Sequence, residues 1–404
     1  MSNIAKITVS AIALSAVVTV AFAQPGPAPD PSTPVGRGSI AFARGDFAEA
    51  ERAFEEAVAR TPDDAMALAG LARARLNNGQ EDQAIELASK ALAIAPNNPV
   101  AANTLNIAKM RKAAFAPDKF VIKRVDQSPV VIKFVRTDPL PVVSFTIGSK
   151  TVNFLIDTGG PNLTLSPALA QELGLPLEAG GQGTFAGGLQ AQVRRTVVPK
   201  MQIGGIEISN VPAGVIGDGS TPNPFQTDGV IGTGFLMHFL STLDYCRGEL
   251  VLAPRTDSAK FQAQAQSAGD NIVRMWLVAD HFIFARGHLN QAPEGLFLVD
   301  TGLAGAGLAP NKAALDEARI AIDMSNPKTG MGGGGPVQFV DFHASATLGK
   351  LTKSDVLGNY IIGNNPLGGM PFKTNGIISH SFFRQSRLSF DFDAMKLVTR
   401  TCGA

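Results

Sequence analysis

An apolar run that ends in Asp-Thr-Gly occurs twice in this sequence, 143 residues apart. The two copies supply the candidate site residues Asp157, Thr158 and Gly159, and then Asp300, Thr301 and Gly302. Two carboxyls that share one proton can take a proton from water on one side and donate a proton to a carbonyl oxygen on the other. If the two aspartates meet, this pair predicts hydrolysis by an activated water molecule.

A second matched pattern follows each copy. Residues 227–232 correspond to residues 374–379, and the two segments are 147 residues apart. Two homologous lobes that differ slightly in length explain both offsets, whereas chance recurrence of two ordered motifs does not. We expect the apolar residues of these segments to pack beneath the two Asp-Thr-Gly loops.

The elements that position these motifs are predicted to be β-strands. From residue 120 onward, short runs of Val, Ile, Phe and Leu alternate with Gly, Pro, Asn and Asp, which is typical of an all-β domain. The pattern predicts one lobe over residues 120–255 and a second over residues 271–402. Residues 256–270, rich in Ala, Gln and Ser, are predicted to link the lobes.

A helical repeat precedes the β region, over residues 38–115. A pattern of Gly, Ala and Pro recurs after 34 residues, which resembles tetratricopeptide repeats. Two units and a capping third stretch are expected, and two unrelated helical hairpins are the alternative. We expect the repeats to bind a protein partner or to pack on the rest of the chain. Residues 24–37, rich in Pro, Gly and Ala, are predicted to be a spacer.

The duplicated motif resembles the aspartic proteases, and the bacterial retropepsin-like type is the nearest match. The resemblance implies a mainly β, bilobal aspartic-protease fold behind a small all-α tetratricopeptide-like array. It implies that Asp157 and Asp300 face each other as the catalytic pair, one from each lobe. It also implies that the Thr158 and Thr301 hydroxyls bond across to the opposite loop. No cofactor is expected.

Each lobe also has a glycine-rich stretch where flaps that close over substrate lie in this family. The predicted flap residues are Gly183, Thr184 and Phe185 in the first lobe and Gly332 and Gly333 in the second. Glycines suit the mobile tip of a hairpin. An ordinary flexible loop is the alternative for both stretches.

Three residues depart from the family pattern. The residue after Asp-Thr-Gly is usually Ala, Ser or Thr, but here it is Gly160 in one copy and Leu303 in the other. The second downstream segment ends in Ser379 where the first has Gly. We therefore keep two functions open. One is an aspartic endopeptidase, and the other is an inactive, protease-like protein that binds peptides in the cleft or scaffolds partners through the repeats.

Composition narrows the class of partner. The chain has 404 residues, 17% charged and 45% hydrophobic residues, and a formal net charge of +1. That balance supports packed domains and gives no electrostatic basis for nucleic-acid binding. We expect a monomer that acts on peptide or protein substrates. The five histidines are scattered, so no metal site is expected.

The N-terminus predicts export. A lysine, an apolar run and an Ala-Phe-Ala cleavage site predict a signal peptide over residues 1–23, with a transmembrane anchor as the alternative. The expected destination is the periplasm or the exterior, with no membrane span after signal removal. In an exported protein the even cysteine count favours a disulfide between Cys246 and Cys402, although two free thiols stay open.

Overall fold

The computed structural model describes residues 28–184, 190–217, 225–332, 335–363 and 367–403, so the predicted signal peptide lies outside the described residues. The described chain opens with a stack of five helices. They are α1 (Pro34–Ala43), α2 (Phe47–Arg60), α3 (Ala65–Asn77), α4 (Glu81–Ile94) and α5 (Pro99–Ala114). Within the described residues, no helix has the length and apolar character needed to span a membrane.

Helix α1 begins earlier than the sequence analysis placed the array. The predicted spacer extended to Arg37, but the helix starts at Pro34, with Thr33 as its N-cap. The Thr33 hydroxyl accepts from the Gly36 N–H at 3.0 Å. Proline suits the first helical position because the N–H that it lacks has no partner there. The proline-rich composition therefore concealed a helix start.

Small residues allow the helices to pack closely. Ala84, Ala88 and Ala101 are fully buried between α3, α4 and α5. A Cβ atom at Gly70 of α3 would lie 2.4 Å from the Phe54 ring of α2. The alanine and glycine pattern that revealed the repeat therefore marks helix contacts.

The first lobe contains an eight-stranded sheet in the order β1-β8-β5-β9-β4-β3-β7-β6, in which β7 also pairs with β8. Strands β4 and β9 run parallel. Its elements, with the strands that follow them to the lobe boundary, are β1 (Val121–Arg124), β2 (Val130–Lys133), β3 (Val142–Ile147), β4 (Lys150–Ile156), β5 (Leu163–Leu165), α6 (Pro167–Glu172), β6 (Glu178–Thr184), β7 (Gln190–Ile203), β8 (Ile206–Ile216), β9 (Gly229–Ile231), α7 (Thr233–Leu236), β10 (Leu240–Asp244) and β11 (Glu249–Ala253).

The second lobe repeats this topology. The predicted linker is largely helical, as α8 (Ser258–Ser267). The elements after it are β12 (Asn271–Val278), β13 (Phe282–Leu289), β14 (Gly295–Asp300), β15 (Leu308–Pro310), α9 (Lys312–Glu317), β16 (Lys328–Gly332), β17 (Gly335–Leu348), β18 (Leu351–Ile361), β19 (Gly376–Ser379), α10 (His380–Phe383), β20 (Ser386–Asp391) and β21 (Lys396–Thr401). Strand β14 runs parallel to β19, as β4 does to β9.

A sheet shared by both lobes joins them. Strands β2, β11 and β10 from the first lobe continue into β20, β21 and β12 from the second. The junction is the antiparallel pair β10–β20, in which Leu243 lies opposite Leu388. The two lobes are thus held in one hydrogen-bonded framework.

Candidate active site

The two aspartates lie at equivalent positions. Asp157 directly follows β4, and Asp300 is the last residue of β14. Each strand pairs in parallel with the segment that the duplicated pattern identified, β9 or β19. Both aspartate side chains have 0% exposure. The apolar strands therefore deliver the two carboxyls to one buried site between the lobes.

The two threonines connect the loops by reciprocal hydrogen bonds. The Thr158 N–H donates to Thr301 Oγ1 at 3.0 Å, and the Thr301 N–H donates to Thr158 Oγ1 at 3.0 Å. The Thr158 hydroxyl donates to the Val299 carbonyl at 2.8 Å. The Thr301 hydroxyl donates to the Ile156 carbonyl at 3.2 Å. All four bonds cross between the lobes and are buried, so they fix the relative position of the aspartates.

The glycines of the two motifs make room for the opposing carboxyls. A Cβ atom at Gly159 would lie 2.6 Å from the Asp300 carboxyl carbon, and one at Gly302 would lie 2.2 Å from that of Asp157. Each glycine N–H also donates to Oδ1 of the aspartate in its own loop, at 2.8 Å for Gly159 and 2.7 Å for Gly302. Any side chain at these positions would displace a carboxyl.

Burial and proximity govern the charge of the pair. Burial raises the pKa of Asp157 well above its ordinary value, and the charge and hydrogen bond of Asp300 raise it further. Burial also raises the pKa of Asp300, whereas hydrogen bonds from Asp157 and from backbone N–H groups lower it. Because two adjacent carboxylates repel each other, the pair retains one proton after the other has ionised. One carboxylate and one carboxylic acid then stand side by side.

The residues that depart from the family pattern take on structural roles. The Ser379 hydroxyl donates to the Asp300 carbonyl and accepts from the Leu303 N–H at 3.2 Å. In the first lobe, the Thr233 hydroxyl performs the comparable task by donating to the Thr158 carbonyl at 2.8 Å. Ser379 therefore holds the second Asp-Thr-Gly loop. In the matched segments, its position is one residue earlier than that of Thr233.

Leu303 is completely buried and does not contribute a polar group to the pair. Its side chain belongs to an apolar cluster that also contains Phe282 and Phe284 of β13 and Leu298 of β14. In the first lobe, the corresponding Gly160 donates its N–H to the Asp157 carbonyl at 3.0 Å. The Leu303 side chain thus anchors the second loop by packing, where family members usually place a small or hydroxyl-bearing residue.

The sequence analysis missed Thr233 and His281. Thr233 comes directly after the matched segment that ends in Gly232, and this position was the signal that could have identified it. His281 lies just before β13, is 1% exposed, and contacts Asp280 through Nδ1 at 2.5 Å. The electrostatic interaction with His281 helps to lower the pKa of Asp300. Only the strand pairing brings this histidine near the site, so spacing along the chain gave no sign of it.

The predicted flap residues that the structure describes lie at the ends of equivalent paired strands. Gly183 and Thr184 end β6, and Gly332 ends β16. These strands pair with β7 and β17, with Thr184 opposite Gln190 and Gly332 opposite Gly335. Phe185 and Gly333 lie outside the described residues.

Among the residues that the structure describes, no group of three or more His, Cys, Asp or Glu side chains is arranged to hold a metal ion. The two cysteines are joined instead. Cys246 follows β10 and Cys402 follows β21, and their Cα atoms are 5.5 Å apart in a disulfide.

Comparisons with known proteins agree with this geometry. Residues 143–235 match the aspartyl protease family, and residues 35–99 match the tetratricopeptide repeat family. The chain therefore carries a segment that matches the aspartyl protease family, behind a segment that matches tetratricopeptide repeats. The predicted resemblance and the predicted fold class, a mainly β bilobal domain after a helical array, are both confirmed.

No curated protein matches the chain at a significant level. Among solved structures, the chain is similar to a retropepsin-like aspartic protease from Rickettsia conorii, with 18% identity and a TM-score of 0.26. That alignment covers 34% of this chain and 96% of the other. The aspartyl protease match covers the first catalytic loop, and the second lobe is linked to it through the repeated topology.

Proposed function

We propose that this protein is an aspartic endopeptidase that hydrolyses peptide bonds through water activated by Asp157 and Asp300. The observation that carries the proposal is the buried pair of carboxyls, held in register by the reciprocal bonds of Thr158 and Thr301. The aspartyl protease match supports the same chemistry for the first lobe.

The arrangement suits both halves of the reaction. Oδ1 of each aspartate accepts from a glycine N–H, whereas Oδ2 of Asp157 and Oδ2 of Asp300 receive no hydrogen bond from the other described residues. These Oδ2 atoms are the ones that we assign to the shared proton, to water and to substrate. The ionised carboxylate would remove a proton from water as its oxygen attacks the peptide carbonyl carbon. The protonated carboxyl would donate to the carbonyl oxygen. The other carboxyl would then pass the proton taken from water to the nitrogen, the C–N bond would break to release the amine, and a hydroxyl of the tetrahedral intermediate would return its proton to the pair.

A cleavage assay tests the proposal. The protein from Gln24 onward is incubated with a mixed peptide library between pH 3 and pH 8, beside Asp157→Asn and Asp300→Asn variants. We expect cleavage by the wild type and a loss of at least a thousandfold in each variant, since neither amide can share the proton. Asp63→Asn, which changes an exposed aspartate in the helical array, is the matched control and should cleave normally. Cleavage that survives either active-site substitution would refute the dyad.

Leu303 favours a second candidate, an inactive protein that binds peptides in the cleft. It replaces a position where the family usually has a small or hydroxyl-bearing residue, which deprives the second loop of a polar contact. This candidate predicts no cleavage at any pH by folded protein, and peptide affinity that survives the Asp157→Asn substitution. Isothermal titration with library-derived peptides would distinguish the two candidates.

We also propose that the protein is exported to the periplasm or the exterior and acts there as a monomer. The N-terminal sequence pattern motivates the proposal, and the Cys246–Cys402 disulfide is compatible with an oxidising compartment. Fractionation of cells that express the full chain, with mass measurement of the mature N-terminus, would test it. A cytoplasmic protein that retains residues 1–23 would contradict it.

A further inference from the structure

One face of the helical array is buried against the second lobe. The C-terminal ends of α1, α3 and α5 form this face. At α1, the Ala43 carbonyl accepts from the Lys373 N–H at 2.7 Å. Beside α3, Asn78 accepts from the Arg274 guanidinium of β12 at 2.8 Å. These contacts join the array to the second lobe by directed hydrogen bonds, in addition to apolar packing.

Arg111 of α5 makes the most extensive of these contacts. Its guanidinium donates to the Leu277 carbonyl near the end of β12 at 2.7 Å and to the Ala279 carbonyl in the turn between β12 and β13 at 2.8 Å. It also donates to the Leu76 carbonyl at the end of α3, at 2.7 Å. Arg111 is only 3% exposed. One buried side chain therefore secures the β12–β13 turn to two helices of the array.

Aromatic side chains form the apolar part of the same interface. The Phe47 ring of α2 lies 5.7 Å from the ring of Trp276 and 4.9 Å from the ring of Phe372. The Phe42 ring of α1 lies 5.6 Å from that of Phe372. Trp276 is the only tryptophan in the chain, so its fluorescence reports on this interface alone.

This apolar cluster extends to the second catalytic loop. Besides Phe42 and Phe47 of the array, it includes Leu298 of β14, Leu303 of the loop and Ile377 of β19. The corresponding cluster in the first lobe is smaller and consists of residues from the two lobes, among them Leu140, Leu155 and Phe225. The array therefore covers the face behind Asp300 and leaves the face behind Asp157 to the lobes.

The turn held by Arg111 also lies near Asp300. Phe284 of β13 pairs with Leu298 of β14, two residues before Asp300, and His281 is close enough to Asp300 to help lower the pKa of that carboxyl. His281 precedes Phe282, and its Nε2 is buried without a hydrogen-bond partner among the described atoms. Movement of the turn would therefore move a titratable group beside the site.

We propose that the helical array is a brace for the second catalytic loop, and that the face formed by the ends of α1, α3 and α5 is occupied by the second lobe instead of by a separate partner protein. Arg111 and Leu303 are positioning residues in this scheme, because they act on Asp300 through the turn and the apolar cluster. The catalytic consequence rests on the proposed peptidase function, whereas the mechanical consequence does not.

Hydrogen exchange, resolved by mass spectrometry, tests the brace in the disulfide-bonded protein. Arg111→Met removes the hydrogen bonds to the turn while keeping much of the side-chain volume, and Arg111→Lys keeps a cation. Lys112→Met is the matched control, since its exposed side chain pairs with Asp82 inside the array. We expect Arg111→Met to speed exchange over residues 300–303 at least fivefold, with less than twofold change over residues 157–160. Arg111→Lys should be intermediate, and Trp276 emission should shift to longer wavelength in Arg111→Met.

Activity is measured separately on a peptide that the wild type cleaves. The brace predicts at least a tenfold loss of kcat in Arg111→Met with KM changed less than threefold. If no variant, wild type included, cleaves any peptide, the exchange data still decide the brace. The brace would be overturned if Arg111→Met sped exchange equally over residues 300–303 and residues 157–160. It would also be overturned if exchange over residues 300–303 stayed unchanged while the Trp276 emission shifted. Should Arg111→Met fail to fold, Arg274→Gln removes the contacts to Glu51 and Asn78. Its hydrogen exchange over residues 300–303 is then compared with that over residues 157–160.

Discussion

Asp157 and Asp300 lower the stability of the folded protein at neutral pH. Both side chains are completely buried, and burial raises the pKa of each. A carboxyl whose pKa is higher in the folded than in the unfolded chain favours folding most when it is protonated. Its contribution is therefore fully present below the unfolded pKa and is lost as the pH rises through the folded pKa. The buried pair therefore lowers the stability of the folded protein at neutral pH, and the proton sharing that we propose depends on the same burial.

Asp157→Asn should stabilise the protein at neutral pH. The amide removes a charge that burial and Asp300 disfavour, and one unit of pKa shift corresponds to about 1.4 kcal/mol. We expect the variant to exceed the wild type by at least about 1 kcal/mol at pH 7, and the gain to shrink as the pH falls towards 4. Urea unfolding at both pH values measures it, and Asp63→Asn should show no such gain. A variant that is less stable than the wild type at pH 7 would contradict the direction of the pKa shift.

At the scale of the elements, the two catalytic loops are supported differently. Thr233, at the start of α7, holds the first loop through the Thr158 carbonyl, and Ser379, at the end of β19, holds the second through the Asp300 carbonyl. Leu303 adds apolar packing to the second loop alone. The second loop therefore depends on the cluster that the helical array completes.

Leu303→Ala should destabilise the protein by about 2–5 kcal/mol, the usual range for removing a fully buried leucine side chain. Leu303→Met nearly conserves volume and should cost less than about 1.5 kcal/mol. Chemical unfolding at pH 6 compares the two variants with the wild type. If Leu303→Ala unfolds like the wild type, the side chain is not the packing anchor that the structure indicates.

The sequence motifs predicted the two aspartates of the site, but they did not predict the contacts that surround these residues. Asp157 and Asp300 were recognisable because each ends an apolar strand in a motif that is contiguous in sequence. His281 was not, because it approaches Asp300 only through the pairing of distant strands such as β13 and β14. The contact between Phe47 and Trp276 joins residues more than 200 positions apart, so no periodicity could predict it. Pairing of distant surfaces depends on the whole fold.

At the scale of the whole molecule, strand pairing, buried hydrogen bonds and a disulfide are among the links that hold the lobes together. Strands β10 and β20 pair in the shared sheet, and the threonine bonds connect the catalytic loops. The disulfide from Cys246 to Cys402 adds a covalent link near the ends of β10 and β21. The active site lies between the lobes, so every link that limits their relative movement also limits movement of one aspartate against the other.

The disulfide should contribute to stability through the unfolded chain. It closes a loop with a sequence separation of 156 residues, and cross-links of this kind typically stabilise by about 2–4 kcal/mol because they restrict the unfolded state. We expect the Cys246→Ser, Cys402→Ser double variant to lose stability in that range while it keeps the native circular dichroism spectrum. Reduction of the wild type should lower its stability to the same level, whereas the reductant should leave the double variant unchanged. Equal unfolding free energies for oxidised and reduced wild type would show that the disulfide does not contribute to stability and that the non-covalent links hold the lobes in register.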